Sequence, residues 1–145
     1  MDSAAPSRTP VLESKATPKM VLVLRKDLGM SPGKAVAQGG HAVQLALTQK
    51  QVVDPVSRTV TLQLSEVGYE WYTNAEYKKV VLEAKSEAQL LALFERAQAA
   101  GIPASLVLDN GLTEFAGVKT YTAIALGPAM PGDIDPLTKR LQAYK

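Results

Sequence analysis

A chain of 145 residues that is 46% apolar suits one self-standing domain with a substantial core. With no cysteine and a single histidine, His41, it excludes disulfides, zinc knuckles and thiol catalysis and disfavours a transition-metal site. The formal charge of +2 permits nucleic-acid binding without requiring it, and no apolar run approaches the roughly 18 residues of a membrane helix, so no membrane partner is expected.

Residues 1–18 read as a disordered tail, rich in Pro, Ser, Thr and Ala and lacking apolar periodicity or the apolar core of a signal peptide. Residues 19–145 read as one domain. Met20 to Leu24 (MVLVL) is a continuous apolar run, the pattern of a strand buried on both faces. Ser31-Pro32 opens a helix to about Gln49, with Ser at the N-cap and Pro at the first helical position. Residues 51–75 are the least legible: Pro55 and Gly68 interrupt them, and Thr59 to Leu64 fits strand or helix. Trp71 and its tyrosine neighbours are expected to cover an edge of the core. Tyr77 to Ala84 is a second strand. Ser86 to Gln89 fits a capping box for a helix running to Ala100, stopped by Gly101 and Pro103. Ser105 to Leu108 and Thr120 to Leu126 are a third and a fourth strand, their short link suggesting an antiparallel pair or a functional loop. Asp133 is expected to cap a last helix through Leu141. This alternation predicts an α/β fold, a three-layer α/β/α sandwich around a mixed, mostly parallel four-stranded sheet.

Gly29 to Lys34 (GMSPGK) lies between a buried strand and a helix N-terminus, where free backbone N–H groups and the helix dipole favour anions. It is not a Walker A loop, because the glycine spacing is too short and Ala35 replaces the magnesium-binding hydroxyl. It also spells G-x-S-x-G, but the residue after Ser31 is Pro32, which has no N–H to give an oxyanion hole. Ser31 is therefore read as an N-cap. Along the helix, Lys34, Gln38, His41 and Leu45 form one stripe, and Val36, Gly40, Val43 and Leu47 form an apolar stripe nearly opposite. A polar stripe is often only solvated, and a lone histidine is more often structural than catalytic. Gly39-Gly40, however, costs about 1 kcal/mol per glycine in mid-helix and implies a close approach by backbone or ligand. Asp109 ends the third strand, where open α/β sheets bind ligands; Asn110-Gly111 equally reads as a plain turn. Thr120 and Thr122 share one face of the fourth strand.

Taken together, these segments resemble the type 2 peptidyl-tRNA hydrolase family. Lys19 to Ala42 is similar to its opening strand followed by R-x-D-L-x-M and G-K-x-A-A-Q-x-x-H-A. Ser86 to Gly101 is similar to its S-E-x-x-L-L-x-L helix. Pro103 to Pro128 is similar to its P-x-x-L-[IV]-x-D-A-G-x-T…T-x-x-x-x-G-P signature, and Asp133 to Thr138 to its closing helix. Asn110 stands where the family has alanine. The loop after Thr113 is one residue longer and resembles the T-E-F-x-G-V form of bacterial and phage members. The resemblance implies cytoplasmic hydrolysis of peptidyl-tRNA to peptide and reusable tRNA, with no cofactor or metal, by a homodimer. Residue by residue it carries over a candidate site of Lys34, Gln38, His41, Asp109, Thr113 and Thr122, of which Lys34, Asp109, Thr113 and Thr122 are read as the catalytic candidates. Gln38, His41, Gly33, Arg25 and Lys26 are the candidates for contacting the RNA substrate. With no credible side-chain nucleophile, water must attack the ester; Asp109 would orient or deprotonate it and Lys34 would pair with Asp109 or stabilise the oxyanion. The alternative is a non-catalytic tRNA- or protein-binding module on the same fold. If the first and third strands are parallel, Lys34, Asp109 and Thr113 meet at one sheet edge, with Thr122 nearby and His41 further out.

Overall fold

The computed structural model describes residues 16–145, so most of the expected tail lies outside the described residues. The chain runs β1 (Lys19–Arg25), α1 (Pro32–Leu47), β2 (Val52–Asp54), β3 (Thr59–Thr61), α2 (Glu66–Thr73), β4 (Lys79–Ala84), α3 (Glu87–Ala99), β5 (Ala104–Asp109), β6 (Thr120–Ala129) and α4 (Pro131–Thr138). The main sheet has the order β4-β1-β6-β5. β1 pairs parallel with β4 and antiparallel with β6, and β5 pairs antiparallel with β6. β4, β1 and β5 therefore point the same way. Because the opposing strand β6 is interior, however, only one neighbouring pair is parallel, which corrects the expectation of a mostly parallel ladder.

The layers follow from the period-2 alternation of β1. Met20, Leu22 and Leu24 face one side and pack with Ala35, Ala42 and Trp71 of α1 and α2. Val21 and Val23 face the other and pack with Leu90, Leu93 and Ala97 of α3 and Ile134 of α4. Burying each of these larger side chains stabilises the fold by about 1.5–3 kcal/mol.

α1 presents Ala35, Gln38, Gly39 and Ala42 to the sheet, a face lying between the two stripes seen in the sequence. Small residues let it lie close: a Cβ on Gly39 would sit 3.7 Å from Leu22 Cδ1, ordinary contact, whereas Gly40 has open space and Val36 stays 75% exposed. Ser86 Oγ accepts from Gln89 N while Gln89 Oε1 accepts from Lys85 N, so the capping box closes one residue earlier than its usual form. α4 begins at Pro131 after Met130, which offers no side-chain cap; Asp133 lies in the first turn and is not the N-cap expected. Residues 51–75 resolve into an exposed β2–β3 hairpin and α2. Trp71 of α2 is fully buried and donates its indole N–H to Lys78 O at 2.8 Å.

Candidate active site

β1 and β5 end at the same edge of the sheet, and α1 starts just beyond the end of β1. That connectivity brings Lys34, in the first turn of α1, to Asp109 at the end of β5. Lys34 Nζ donates to Asp109 Oδ1 at 3.1 Å and to Thr113 Oγ1 at 2.6 Å, and it lies 5.3 Å from the centre of the Phe115 ring. Only 10% of each of the Lys34 and Asp109 side chains is exposed, so the pair is screened far less than a surface ion pair.

Gln38, one turn along α1, is buried behind this pair. Its Nε2 donates to Asp109 Oδ1 at 3.1 Å, and its Oε1 accepts from Thr122 Oγ1. Thr122 is fully buried on β6, so it supports Gln38 and does not face the cleft. Asp109 Oδ2 accepts from Gly111 N at 2.8 Å, closing a tight turn in which Asn110 Oδ1 accepts from Leu112 N at 3.1 Å. Burial alone would raise the Asp109 pKa. The Gly111 amide, the Lys34 ammonium and the Gln38 amide together outweigh burial and hold the carboxyl below its ordinary value. The group therefore stays ionised and is correspondingly a weak base.

Lys34, Gln38, Asp109 and Thr113 line an open cleft of about 530 Å³ that also takes in Ala37, His41, Asn110, Leu112 and Glu114. His41 sits one turn beyond Gln38, exposed at the cleft's far end. Ser31 is the N-cap of α1, its Oγ accepting from Lys34 N at 3.2 Å. It also donates to Glu114: its N–H reaches Oε1 at 3.2 Å and its hydroxyl reaches Oε2. Glu114 thus ties the β5–β6 loop to the start of α1 and holds Thr113 against Lys34. No local motif points to this contact, since its partners lie 83 positions apart.

Three expected substrate contacts lie elsewhere. Arg25 follows Val21 and Val23 onto the opposite face of the sheet. There its guanidinium is held by Asp27 at 2.7 Å, by Tyr121 O at 3.1 Å and by Glu87 at 3.5 Å. Lys26 reaches the Tyr144 ring and Lys145 O. Gly33 is exposed in the first turn of α1, outside the residues lining the cleft. Among the described residues, no group of three or more His, Asp or Glu side chains is placed to hold a metal ion.

The profile of the family described as Peptidyl-tRNA hydrolase PTH2 matches residues 18–144. A peptidyl-tRNA hydrolase of Pyrobaculum aerophilum is 41% identical over 128 residues, covering 88% of this chain and 98% of that protein. One of Methanocaldococcus jannaschii is 39% identical over 124 residues, covering 86% and 97%. The human protein named peptidyl-tRNA hydrolase 2, mitochondrial, is 33% identical over 138 residues, covering 95% and 70%. With the family profile matching residues 18–144 and the two archaeal relatives matched over nearly their whole length, the chain belongs to the PTH2 family of peptidyl-tRNA hydrolases.

Proposed function

We propose that this protein hydrolyses the ester between a peptide and the terminal ribose of tRNA, releasing both for reuse in the cytoplasm. The observation that carries the reading is the hydrogen-bonded cluster of Lys34, Asp109 and Thr113 on an open cleft, buttressed by Gln38, in a chain whose relatives bear that activity in their names. A binding module on the same fold would have no need to keep a half-buried lysine, an ionised aspartate and their buttress together.

In this reading a water molecule attacks the ester carbonyl. Asp109 has about four acceptor positions, and the bonds from Lys34, Gln38 and Gly111 leave capacity for that water. Its lowered pKa makes Asp109 an orienting group and a weak proton acceptor. Lys34 has three donors; with Asp109 and Thr113 engaging it, the remaining N–H faces the oxyanion that forms on the carbonyl oxygen. Collapse breaks the bond to the ribose oxygen, which takes one of the two protons of the attacking water and leaves as the tRNA hydroxyl, while the other proton passes to solvent and the peptide leaves as a carboxylate. Thr122 acts behind Gln38, and Arg25 holds the β1 end and α3 in place. A homodimer belongs to the same proposal, supported by an apolar groove where Val36, Gly40, Val43, Val81 and Tyr144 line the side of α1 away from the active-site cleft.

The test is incubation of the purified protein with tRNA carrying a labelled N-acetylated peptide, followed by separation of products. Free peptide acid and intact deacylated tRNA support the hydrolase. Tight binding without product supports the binding module instead.

A further inference from the structure

The active-site cleft does not end at His41. A second cavity of about 520 Å³ shares His41, Asp109 and Asn110 with it and continues along α1 toward Gln51, with Val107 and Leu108 of β5 as its other wall. Its chemistry differs from the Lys34 end. Beyond the shared residues the lining is apolar (Leu45, Val107, Leu108) or neutral and hydrogen-bonding (Gln44, Thr48, Gln51), and no lysine or arginine lines it. Leu45 is 41% exposed and Leu108 50% exposed, although both belong to regular elements beside the site. β5 is also an edge strand of the main sheet, so its outer backbone edge has no neighbouring strand.

We infer that this groove holds the peptide arm of the substrate, the residues upstream of the ester, with Leu45 and Leu108 as its apolar contacts. The inference rests on the hydrolase reading and deepens it. An ester bound at Asp109 must send its RNA one way and its peptide the other. A polyanion needs cations, which this groove lacks. A peptide needs what the groove offers: amide and hydroxyl partners, apolar contacts, and an open strand edge of the kind that binds extended chains. The volume falls within the range of small-ligand pockets, room for a few residues. A substrate with one amino acid on the tRNA would not reach Leu45; a longer apolar peptide would.

The experiment compares two substrates on one tRNA, an N-acetylated single amino acid and an N-acetylated apolar tetrapeptide. They are hydrolysed by the parent protein and by the double variant Leu45→Gln/Leu108→Thr. Both replacements are neutral, because a new carboxylate would repel any tRNA, and both positions are partly exposed, so the fold is retained. The expected result is a KM for the tetrapeptidyl substrate raised about tenfold, the scale of losing apolar contact worth one or two methylenes. The kcat, and both constants for the single-residue substrate, stay at parent values. The conservative pair Leu45→Met/Leu108→Val should restore the tetrapeptide KM. An equal change on both substrates, or none on either, overturns the inference while leaving the hydrolase reading intact. So does a shift in sedimentation from dimer to monomer without selective loss on the tetrapeptide, which would mean that a second copy fills the groove. A parent protein inactive on both substrates overturns the hydrolase reading itself, and the inference with it.

Discussion

Asp109 is a carboxylate that burial alone would drive toward protonation, kept ionised by three donors, two from α1 and one from the turn after β5. Its folded pKa lies below its unfolded value, so its contribution to stability is full above the ordinary carboxylate pKa of about 3.9 and fades as pH falls through the lowered value. Removing Lys34 should reverse the balance. Lys34→Met is expected to lose about 1–3 kcal/mol at neutral pH by leaving Asp109 charged and under-satisfied. The deficit should shrink as the pH is lowered toward 4 and the aspartate takes up a proton; urea denaturation at several pH values reads this directly. Gln38→Ala should cost about 1–3 kcal/mol, because the buried Thr122 hydroxyl loses its acceptor and Asp109 a donor. It should also lower kcat more than it raises KM. At this scale Lys34, Asp109 and Thr113 were legible, because each sits inside a recognisable local motif at a strand or helix end. Glu114 was not, since only folding brings it to Ser31. Arg25 was drawn in by its charge, yet its place two residues after Val23 puts it on the far face of the strand.

The β5–β6 loop is the element on which the site depends most. Gly111 has φ +81°, and a Cβ there would fall 2.2 Å from Val118 O, a clash with backbone that no rotamer can relieve. Gly111→Ala should therefore displace the turn that donates to Asp109 and abolish most activity, and loop proteolysis should speed up while the global melting transition barely moves. Gly40→Ala is the contrasting case. Within one chain nothing lies within 4 Å of the added methyl, so at concentrations that keep the protein monomeric the variant should gain up to about 1 kcal/mol in helix propensity, seen as a higher melting temperature. The close approach expected at the mid-helix glycine pair is not met within the chain: a Cβ on Gly39 would make ordinary contact with Leu22, and Gly40 borders the exposed apolar groove. The elements with strong periodicity or caps were readable to within a few residues. The β2–β3 hairpin was not, because every residue in it is exposed and no buried face imposes alternation. The start of α4 was misplaced because Pro131 set the first turn ahead of the better-looking cap at Asp133.

For the whole molecule, the α/β class and the meeting of Lys34 with Asp109 followed from strand direction, since β1 and β5 both oppose β6. The mixed character of the sheet was expected as well; the interior place of β6 between β1 and β5 was not, because nothing local in β6 announces it. A ligand as highly charged as tRNA should make binding strongly salt-dependent, so affinity measured by filter binding should fall steeply from low to physiological salt. A flat response would argue against an RNA ligand. The central claim, that Lys34 and Asp109 form the centre that cleaves the ester, is tested most directly by single-turnover hydrolysis of labelled peptidyl-tRNA. The parent protein is compared with Lys34→Ala and Asp109→Ala, each first verified as folded. The account expects each variant to be slower by on the order of 100-fold, the scale of losing an oxyanion or water-orienting group. Folded variants that both cleave the substrate at close to the parent rate would contradict it.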